Sequence, residues 1–403
     1  MSKVIVDKDL IEQFLTRGVD SIYPSVDAFR KKLYSGERLK IYQGFDPTGP
    51  YLHVGHAIGI RAMKMLQQLG HEVIFLVGDF TAKVGDPDKD ATRKLLSDEE
   101  IEKNMAGWKE QAAQLIDFKG ENPVSFKRNF EWLSKLKLDD LIKLMSQITV
   151  QRMLERDMFK RRMEENNPIR LHEFIYPLMQ GYDGVAMGVD MEIGGTDQTF
   201  NMLVGRDLSK AYLNKNKFVR THKMMDAPDG ITMSKTKGNG INLNDTAEDM
   251  YGKAMSYPDR SIVLGLELLT DVPMKEIKEI ERSVSKGENL MELKKRMSYE
   301  IVKMIKGKEA AMAAEDHFKR TVQNKERPDN IEEVSLKGGS WNLPDLLVSV
   351  GFAVSKQEAR RLIEQGGIKI NNKVVADVKA NIVVTDEDIL VQRGKRQFLK
   401  IKK

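Results

Sequence analysis

The sequence contains no cysteine, which excludes disulfide bonds, thiolate nucleophiles and metal clusters ligated by cysteine. It also has no continuous apolar run long enough to cross a bilayer, and its first residues lack the apolar stretch of a secretory signal. We therefore expect a cytoplasmic protein with no membrane partner. What is present is ordinary for a globular chain: 403 residues, 41% hydrophobic and 31% charged, enough for two or three domains.

The net charge of +5 lies entirely at the end of the sequence. Residues 341–403 carry 12 Lys and Arg against 7 Asp and Glu, whereas the rest of the chain carries 53 of each sign. A neutral body with a basic terminal module suggests a separate unit that faces a polyanion, most simply nucleic acid. The alternative is a surface that only keeps the protein in solution.

The most informative segment is residues 42–56, in which two histidines follow a short apolar strand. His53 and His56 fall near the first turn of a helix predicted over 57–69. Free N–H groups and the positive end of the helix dipole favour anions there, and Gly55 leaves room for a ligand to approach the backbone. The segment therefore indicates a phosphate-binding turn. The alternative is that the imidazoles only cap the helix or pack against it.

The order of strands and helices predicts the fold class. A second, continuously apolar strand begins at residue 72, and strand, helix, strand with this spacing is a parallel βαβ unit of a doubly wound α/β domain. The helical, charged stretch between 97 and 167 is interpreted as an insertion between two halves of the sheet. A later strand ends in two glycines, after which Thr196 or Asp197 is predicted to cap a helix running through Leu208. Candidate core residues of the insertion are Trp108, Trp132, Leu141, Leu144 and Met145.

Four segments follow from these patterns. The α/β domain with its insertion is assigned to 1–225. Residues 226–323 are assigned to a loop followed, from about 246, by a lysine-rich helical region without strand signals. Residues 324–340 are polar and contain proline and paired glycines, so they are predicted to be a flexible linker. The basic module occupies 341–403.

Several polar side chains lie in apolar surroundings. Tyr176, Gln180 and Asp183 are spaced i, i+4 and i+7, which places them on one face of a helix, where they could line a pocket with polar ends. Asp86 ends the loop after the second strand, at the edge where such sheets bind ligands. The alternatives are a solvent-facing stripe for the three helix residues and simple turn chemistry for Asp86 beside Pro87.

A loop of small residues over 229–240 contains Lys235 and Lys237. Flexible ammonium groups suit brief contact with phosphates whose charge moves during a reaction. The alternative is an exposed loop without a function.

Together these segments resemble a class I aminoacyl-tRNA synthetase, specifically a bacterial-type tyrosyl-tRNA synthetase. Residues 44–48 with 53–56 are similar to the first family signature, 233–236 to the K-M-S-K-S loop, and 194–198 to a further characteristic stretch. The tail at 353–371 is similar to a small RNA-binding fold shared with a ribosomal small-subunit protein. The resemblance implies a Rossmann-like catalytic domain, an α-helical tRNA-contacting domain and a small α+β RNA-binding domain.

The resemblance also implies a reaction. Tyrosine and ATP would form tyrosyl-adenylate and pyrophosphate, and the tyrosyl group would then pass to the terminal ribose of tRNA(Tyr). Catalysis would consist of positioning and charge stabilisation, with Mg²⁺ bound to the phosphates and no metal site built by the protein alone. The implied catalytic residues are Thr48, His53, His56, Lys235 and Thr236. The implied ATP-binding residues are Gly44, Asp46, Gly55, Lys89, Arg93, Gly195, Asp197, Met233 and Ser234.

Binding residues for tyrosine and RNA are implied in the same way. Tyr42 and Asp183 would hold the substrate phenol, Asp86, Tyr176 and Gln180 its ammonium group, and Gln198 its carboxyl group. The implied RNA-binding residues are Arg360, Arg361, Lys369, Lys373, Arg393, Lys395 and Arg396. A homodimer joined through the insertion, with one tRNA crossing both subunits, is also implied.

One position departs from the family pattern. Thr232 stands where the signature loop usually begins with lysine, so Lys235 is the loop's in-register ammonium group and Lys237 a substitute. We expect this difference to slow adenylation without abolishing it.

Three other functions remain open at this point. A tryptophanyl-tRNA synthetase is the nearest alternative, against which the Tyr42 and Asp183 pair, the stretch at 194–198 and the RNA-binding tail favour tyrosine. A small-molecule adenylyl- or cytidylyltransferase would have no use for the basic tail. An RNA-binding protein without catalysis would bind through the tail but would not exchange pyrophosphate.

Overall fold

The computed structural model describes residues 3–86, 96–230, 233, 240–285, 289–323, 332–385, 387–394 and 397–403. The chain divides into two compact units, Met1–Ala311 and Met312–Lys403. Among the described residues, no helix combines the length and the apolar character that crossing a membrane requires.

A six-stranded sheet forms the centre of the first unit. Its strands are β1 Val19–Tyr23, β2 Lys40–Phe45, β3 Glu72–Val77, β4 Ser125–Arg128, β5 Met191–Gly195 and β6 Phe218–His222. The spatial order is β1-β6-β5-β2-β3-β4, and all neighbouring pairs are parallel except β1 with β6. The sheet is therefore a doubly wound parallel sheet with one antiparallel edge strand, as the sequence predicts.

Helices cover this sheet and continue beyond it. Up to residue 187 they are α1 Lys8–Thr16, α2 Val26–Tyr34, α3 Val54–Gln68, α4 Thr81–Val84, α5 Asp98–Met105, α6 Trp108–Ala112, α7 Phe130–Leu133, α8 Leu138–Met145, α9 Val150–Leu154, α10 Asp157–Glu164 and α11 Tyr176–Met187. The following helices are α12 Thr199–Leu213, α13 Ala247–Ala254, α14 Ile262–Leu269, α15 Met274–Ser285, α16 Leu290–Lys306 and α17 Lys308–Phe318. Short 3₁₀ segments lie at Leu171–Phe174, Thr196–Gln198 and Asp259–Ser261, and a π-helical turn lies at Lys319–Gln323.

The burial of β3 and α3, two predicted elements next to the site, explains their sequences. Strand β3 is buried from Val73 to Val77, which explains its continuous apolar sequence, since a central parallel strand is covered on both faces. Helix α3 begins at Val54, three residues before the predicted start, and turns Ala57, Ile60 and Met63 toward the core.

The insertion differs from its prediction in one respect. Strand β4 lies within it and pairs in parallel with β3, with Phe126 opposite Phe75. Only one of its four residues is strongly apolar, so the segment carries no strand signal of its own. Trp108 and Leu144 are buried as predicted, but Met145 is 46% exposed, so its assignment to the core was wrong.

The predicted cap after β5 was also wrong. Residues Thr196–Gln198 form a 3₁₀ turn, and α12 begins at Thr199 without a side-chain cap and ends at Leu213, not at Leu208. The hydroxyl of Thr196 instead donates to the carbonyl of His222 at 3.0 Å. The polar side chain thus ties the ends of β5 and β6 together.

The described part of 246–323 is helical and contains no strand, in agreement with the prediction. The second unit is a small α+β fold with helices α18 Leu343–Ser349 and α19 Lys356–Glu364. Its strands are β7 Glu332–Ser335, β8 Gly339–Asn342, β9 Ile368–Ile370, β10 Lys373–Val374, β11 Asn381–Val384, β12 Ile389–Arg393 and β13 Gln397–Lys402. They form a five-stranded sheet, β10-β9-β12-β13-β7, and the pair β11-β8.

Strands β7 and β8 lie largely within the segment predicted to be a linker. Strand β7 pairs in parallel with β13, with Val334 opposite Ile401. The sequence Glu332-Glu-Val-Ser is mostly polar because an edge strand needs few buried side chains, so composition alone could not identify it. The described residues 332–340 are therefore ordered by the sheet rather than linking two domains loosely.

Candidate active site

The three polar residues of α11 turn inward. Tyr176 and Asp183 are buried and Gln180 is half-buried, so they do not form a solvent-facing stripe. Their helix packs beside α12, with glycines at the contact: a Cβ on Gly181 would lie 3.0 Å from the Cα of Gly205. This close approach brings the polar face of α11 against the carboxyl ends of β2 and β5, where the doubly wound sheet binds ligands.

The Asp183 carboxylate is held by two N–H donors. Trp132 Nε1 donates to one oxygen at 2.7 Å and Asn129 Nδ2 to the other at 3.2 Å. Burial raises the pKa of Asp183 well above its ordinary value, while these two donors favour the charged form and lower it. Burial also raises the pKa of the neighbouring Tyr42 phenol, and the charges of Glu192 and Asp183 add to that effect. The phenol and the carboxylate predicted to bind one substrate hydroxyl therefore do lie near each other.

Asp46 and Tyr176 form a second direct contact. The Tyr176 hydroxyl donates to Asp46 Oδ2 at 2.8 Å, and the Thr81 hydroxyl donates to the other oxygen at 2.7 Å. The Thr48 amide donates to the carbonyl of Asp46 at 2.8 Å, which closes the turn after β2. Asp46, which is predicted to contact the nucleotide, therefore lies next to Tyr176, which is predicted to bind the substrate ammonium group.

The two signature histidines meet at the start of α3. The His53 amide donates to Nδ1 of His56 at 3.0 Å, and the ring centroids are 3.8 Å apart. This i, i+3 contact caps the helix, so the structural interpretation of the motif is correct in part. Because Nδ1 of His56 accepts that bond, the neutral ring carries its proton on Nε2.

Backbone bonds attach the signature loop to this motif. The Val54 amide donates to the carbonyl of Ile241 at 2.9 Å, and the Leu243 amide donates to that of Leu52 at 2.8 Å. Both bonds join the chain just after the loop to the chain just before α3.

Met233 is the described residue of the signature at 233–236, and it is buried against the same motif. An added Cβ on Gly55 would lie 3.4 Å from Met233 Cε, and one on Gly240 would lie 3.3 Å from its sulfur. The Tyr257 hydroxyl approaches the same sulfur at 3.9 Å. The predicted residues Lys89, Arg93, Ser234, Lys235 and Thr236, with Thr232 and Lys237, lie outside the described residues.

Asp86 lies at the centre of a polar cluster. Gln198 Nε2 donates to one of its oxygens at 2.7 Å, and Arg156 Nη2 donates to the other at 2.6 Å. Gln198 also donates to Asp197 at 2.9 Å. Asp86 is therefore more than a turn residue, and its ion pair with buried Arg156 links the site to the insertion.

The glycines predicted to contact ATP have different surroundings. Gly44 is exposed at the end of β2. Gly195 is buried, and an added Cβ would lie 2.7 Å from the sulfur of Met224 and still closer to Oδ1 of Asp197. A side chain at Gly195 would therefore displace Asp197.

Sequence reasoning missed several residues that contact the predicted ones. Asn201 Nδ2 donates to Gln180 Oε1 and to Gln198 Oε1, both at 3.0 Å. Gln180 Nε2 donates to Glu192 Oε1 at 3.1 Å, and Glu192 pairs with Lys217. Glu192, a charged residue within an otherwise apolar strand at 191–195, is the sequence feature that could have indicated this pair. The missed residues are Asn129, Trp132, Arg156, Glu192, Asn201 and Lys217.

The predicted RNA-binding residues of the second unit divide into two groups. Arg360, Arg361 and Lys373 are exposed and Lys369 is half-exposed. Arg393 differs, since it donates to the carbonyl of Phe352 at 2.5 Å and to Glu358 at 3.2 Å, which is an internal structural role. Lys395 and Arg396 lie outside the described residues.

Comparison with known proteins agrees with this geometry. Residues 34–323 match the family model of class I tRNA synthetases (W and Y), and residues 323–401 match the tyrosine–tRNA ligase SYY-like C-terminal domain. The chain belongs to the tyrosine–tRNA ligase family. The resemblance and the fold class predicted from the sequence are thereby confirmed.

Members of this family match the chain over nearly its whole length. The tyrosine–tRNA ligase of Moorella thermoacetica is 41% identical over 395 residues, which is 96% of this chain and 95% of that protein. The tyrosine–tRNA ligase of Carboxydothermus hydrogenoformans is 42% identical over 402 residues, with 96% and 97% covered. Among solved structures, a C-terminally truncated mitochondrial tyrosyl-tRNA synthetase of Aspergillus nidulans is 25% identical with a TM-score of 0.63, covering 77% of this chain and 93% of that one.

Proposed function

We propose that the protein activates L-tyrosine with ATP to give tyrosyl-adenylate and pyrophosphate, and then transfers the tyrosyl group to the 3′-terminal ribose of tRNA(Tyr) in the cytoplasm. The observation that carries this proposal is the buried Asp183 carboxylate, fixed by Trp132 and Asn129 beside the Tyr42 phenol. Such a carboxylate can accept the hydrogen bond of a substrate phenol. Phenylalanine would leave both protein groups without a partner, so it would be rejected.

The other end of the pocket suits an α-amino acid. Asp86 and the Gln180 oxygen supply acceptors for the substrate ammonium group, and Tyr176 orients that group through Asp46. Gln198 would then turn from Asp86 toward the substrate carboxylate. Arg156 balances the charge of Asp86, and the neighbouring carboxylates of Asp46 and Asp197 leave the site favourable for a cation.

The start of α3 is proposed to hold the ATP phosphates. Thr48, His53 and Nε2 of His56 would donate to them, aided by the helix dipole. ATP would enter with Mg²⁺, which commonly keeps several waters and binds through phosphates. The nucleotide contacts carried over from the family are Gly44, Asp46, Gly55, Lys89, Arg93, Gly195, Asp197, Met233 and Ser234.

The signature loop is proposed to act on the leaving pyrophosphate. Met233 holds the loop at the phosphate end of α3, which would let Lys235 and Thr236 reach the β- and γ-phosphates. No side chain needs to act as a nucleophile, because the substrate carboxylate attacks the α-phosphate directly. The protein contributes position and stabilisation of charge.

A homodimer is proposed to form through the insertion. Leu138, Ile142 and Met145 are spaced i, i+4 and i+7 on α8, and Leu138 is 71% exposed. An exposed apolar helix face of this kind is typical of a protein interface. The tRNA would contact the helices after 246 and the exposed cations of the second unit, Arg360, Arg361, Lys369 and Lys373.

The deciding experiment is amino-acid-dependent exchange of labelled pyrophosphate into ATP, with tyrosine, phenylalanine and tryptophan supplied separately. We expect exchange with tyrosine only, and a strong reduction in Lys235→Ala. Exchange with tryptophan would replace the proposed substrate. No exchange with any amino acid would overturn the synthetase proposal in favour of another nucleotidyltransferase or a silent RNA-binding protein.

A further inference from the structure

Glu192 is a charged residue in the middle of a strand that is buried along its whole length. It is 2% exposed, between Met191 and Ile193, which are equally buried. A buried carboxylate is costly unless it is paired and hydrogen-bonded. Its partner is Lys217, whose side chain is 0% exposed and whose Nζ lies 2.5 Å from Glu192 Oε2.

Glycines on two helices make room for this lysine. A Cβ on Gly205 of α12 would lie 2.6 Å from Lys217 Nζ, and a Cβ on Gly184 of α11 would lie 3.3 Å from it. Glycine inside a helix destabilises it by roughly 0.5–1 kcal/mol relative to alanine. The two glycines therefore weaken α11 and α12 slightly, but they leave space for the Lys217 ammonium group beside Glu192 of β5.

The ion pair contacts the ammonium end of the proposed tyrosine pocket and lies beside the Tyr42 ring. Glu192 Oε1 accepts from Gln180 Nε2 at 3.1 Å, and the other side of that amide, Oε1, accepts from Asn201 at 3.0 Å. The Tyr42 phenol donates to the backbone carbonyl of Gln180 at 3.4 Å, and Lys217 Nζ lies 5.9 Å from the centre of the Tyr42 ring. No group in the proposed reaction uses Glu192 or Lys217 directly.

A carboxylate at this point determines the orientation of the Gln180 amide. Because an ionised carboxylate only accepts hydrogen bonds, the Gln180 NH₂ faces Glu192 and its oxygen points away from Glu192, toward Asn201. A glutamine at 192 could donate as well as accept, so the Gln180 amide could turn over and present N–H groups to the substrate ammonium. Lys217 pairs with the second oxygen of this carboxylate.

We propose that Glu192, paired with Lys217, is a positioning residue for tyrosine recognition that aims the Gln180 oxygen at the substrate ammonium. This inference rests on the proposed function. It adds a determinant of substrate affinity that lies behind the residues touching tyrosine and does not itself touch it.

The test compares Glu192→Gln with the neutral double variant Glu192→Gln/Lys217→Met. The double variant removes the charge pair while keeping its volume, a replacement that buried ion pairs often tolerate without loss of stability. Tyrosine and ATP are titrated separately in the pyrophosphate-exchange assay, and the thermal midpoint of each variant is recorded. We expect both variants to raise KM for tyrosine roughly 10- to 100-fold, the size of a hydrogen bond to a charged group, with KM for ATP within about twofold of wild type.

Glu173→Gln provides a matched control. Glu173 pairs with buried Arg162 at 2.5 Å, as Glu192 does with Lys217, but it contacts none of the proposed substrate ligands. We expect this control to lower the thermal midpoint without a selective change in KM for tyrosine.

A folded double variant with wild-type KM for tyrosine would overturn the inference, as would equal increases of KM for tyrosine and ATP. In either case, tyrosine-dependent exchange by wild-type protein would leave the proposed function standing. Wild-type protein that neither binds tyrosine nor exchanges pyrophosphate would overturn both.

Discussion

The indole of Trp132 donates its N–H to the Asp183 carboxylate at 2.7 Å, across 51 positions of sequence. The insertion supplies this donor together with Asn129, although the carboxylate belongs to α11 of the sheet domain. The insertion therefore helps to set the charge state of the group proposed to recognise the substrate phenol. It is part of the proposed pocket as well as the proposed dimer interface.

Trp132→Phe should make tyrosine binding depend on pH. Losing the indole donor removes one of two bonds that favour the charged form, so the pKa of Asp183 rises further above its ordinary value. A larger fraction of the carboxyl is then protonated at low pH, and KM for tyrosine should fall as pH rises from 6 to 9, more steeply than in wild type. The measurement is KM for tyrosine in the exchange assay at each pH.

Trp341→Phe is the control for this experiment. It also removes an indole hydrogen bond, from Nε1 to the carbonyl of Lys337 at 3.0 Å, but in the second unit. It should leave KM for tyrosine unchanged. Identical pH profiles for Trp132→Phe and wild type would show that the indole does not influence the carboxylate.

The parts of the site that sequence could predict are those carried by short, contiguous segments. The turn after β2, the histidine pair and the α11 face each lie within one stretch of chain, so spacing alone aligned their side chains. Contacts such as Tyr176 with Asp46, 130 positions apart, depend on how the sheet and helices pack. Residue pattern carries no information about such distances, and Arg156 and Trp132 were missed as site residues for that reason.

The same distinction holds for the fold. Strands β2 and β3 are central, and the continuously apolar β3 and the shorter apolar pattern of β2 could be recognised from sequence. Strands β4 and β7 lie at sheet edges with few buried side chains, and they form because a partner strand offers free backbone groups. The residue propensities of β4 and β7 carry no information about their partner strands, so these two strands could not be predicted from local sequence.

Met233→Ala should weaken use of ATP without affecting tyrosine binding. The thioether is buried against Gly55, Gly240 and Tyr257, beside the start of α3. Truncating a buried methionine commonly costs about 2–5 kcal/mol, enough for the loop to leave the α3 motif. We expect a lower kcat in pyrophosphate exchange and a higher KM for ATP.

Met233→Leu, with nearly the same volume, should retain most of the activity. Met291→Ala, at an exposed position on α16, should behave as wild type. An unchanged kcat and KM for ATP in Met233→Ala would show that the methionine does not anchor the loop.

Ile142→Asp should separate the proposed homodimer. A carboxylate at the centre of the exposed apolar face of α8 would be buried without a partner if two copies met there. We expect wild-type protein to sediment with the mass of a dimer and Ile142→Asp with that of a monomer at micromolar concentration. Lys143→Asp, on the adjacent exposed face of the same helix, should remain dimeric. A dimeric Ile142→Asp would place the interface elsewhere.

His71→Asn should reduce the fall in the free energy of unfolding that the protein shows at acid pH. Burial lowers the pKa of His71 from 6.5 to about 4, and nearby Arg38 adds to the shift. The unfolded chain therefore binds the proton first as pH falls below 6.5, and folding stability declines from there to about pH 4. At pH 5 this shift corresponds to about 2 kcal/mol.

Asparagine suits the position, because its Oδ1 can accept the Leu39 amide bond that Nδ1 of His71 accepts at 3.3 Å, and it does not titrate in this range. Urea unfolding at pH 7.5 should give similar free energies for wild type and variant, which serves as the internal control. At pH 5 the variant should be the more stable by about 2 kcal/mol. His222, whose pKa burial also lowers to about 4, leaves both proteins with a remaining acid sensitivity. Equal losses between the two pH values in wild type and His71→Asn would show that His71 is not protonated on acid unfolding.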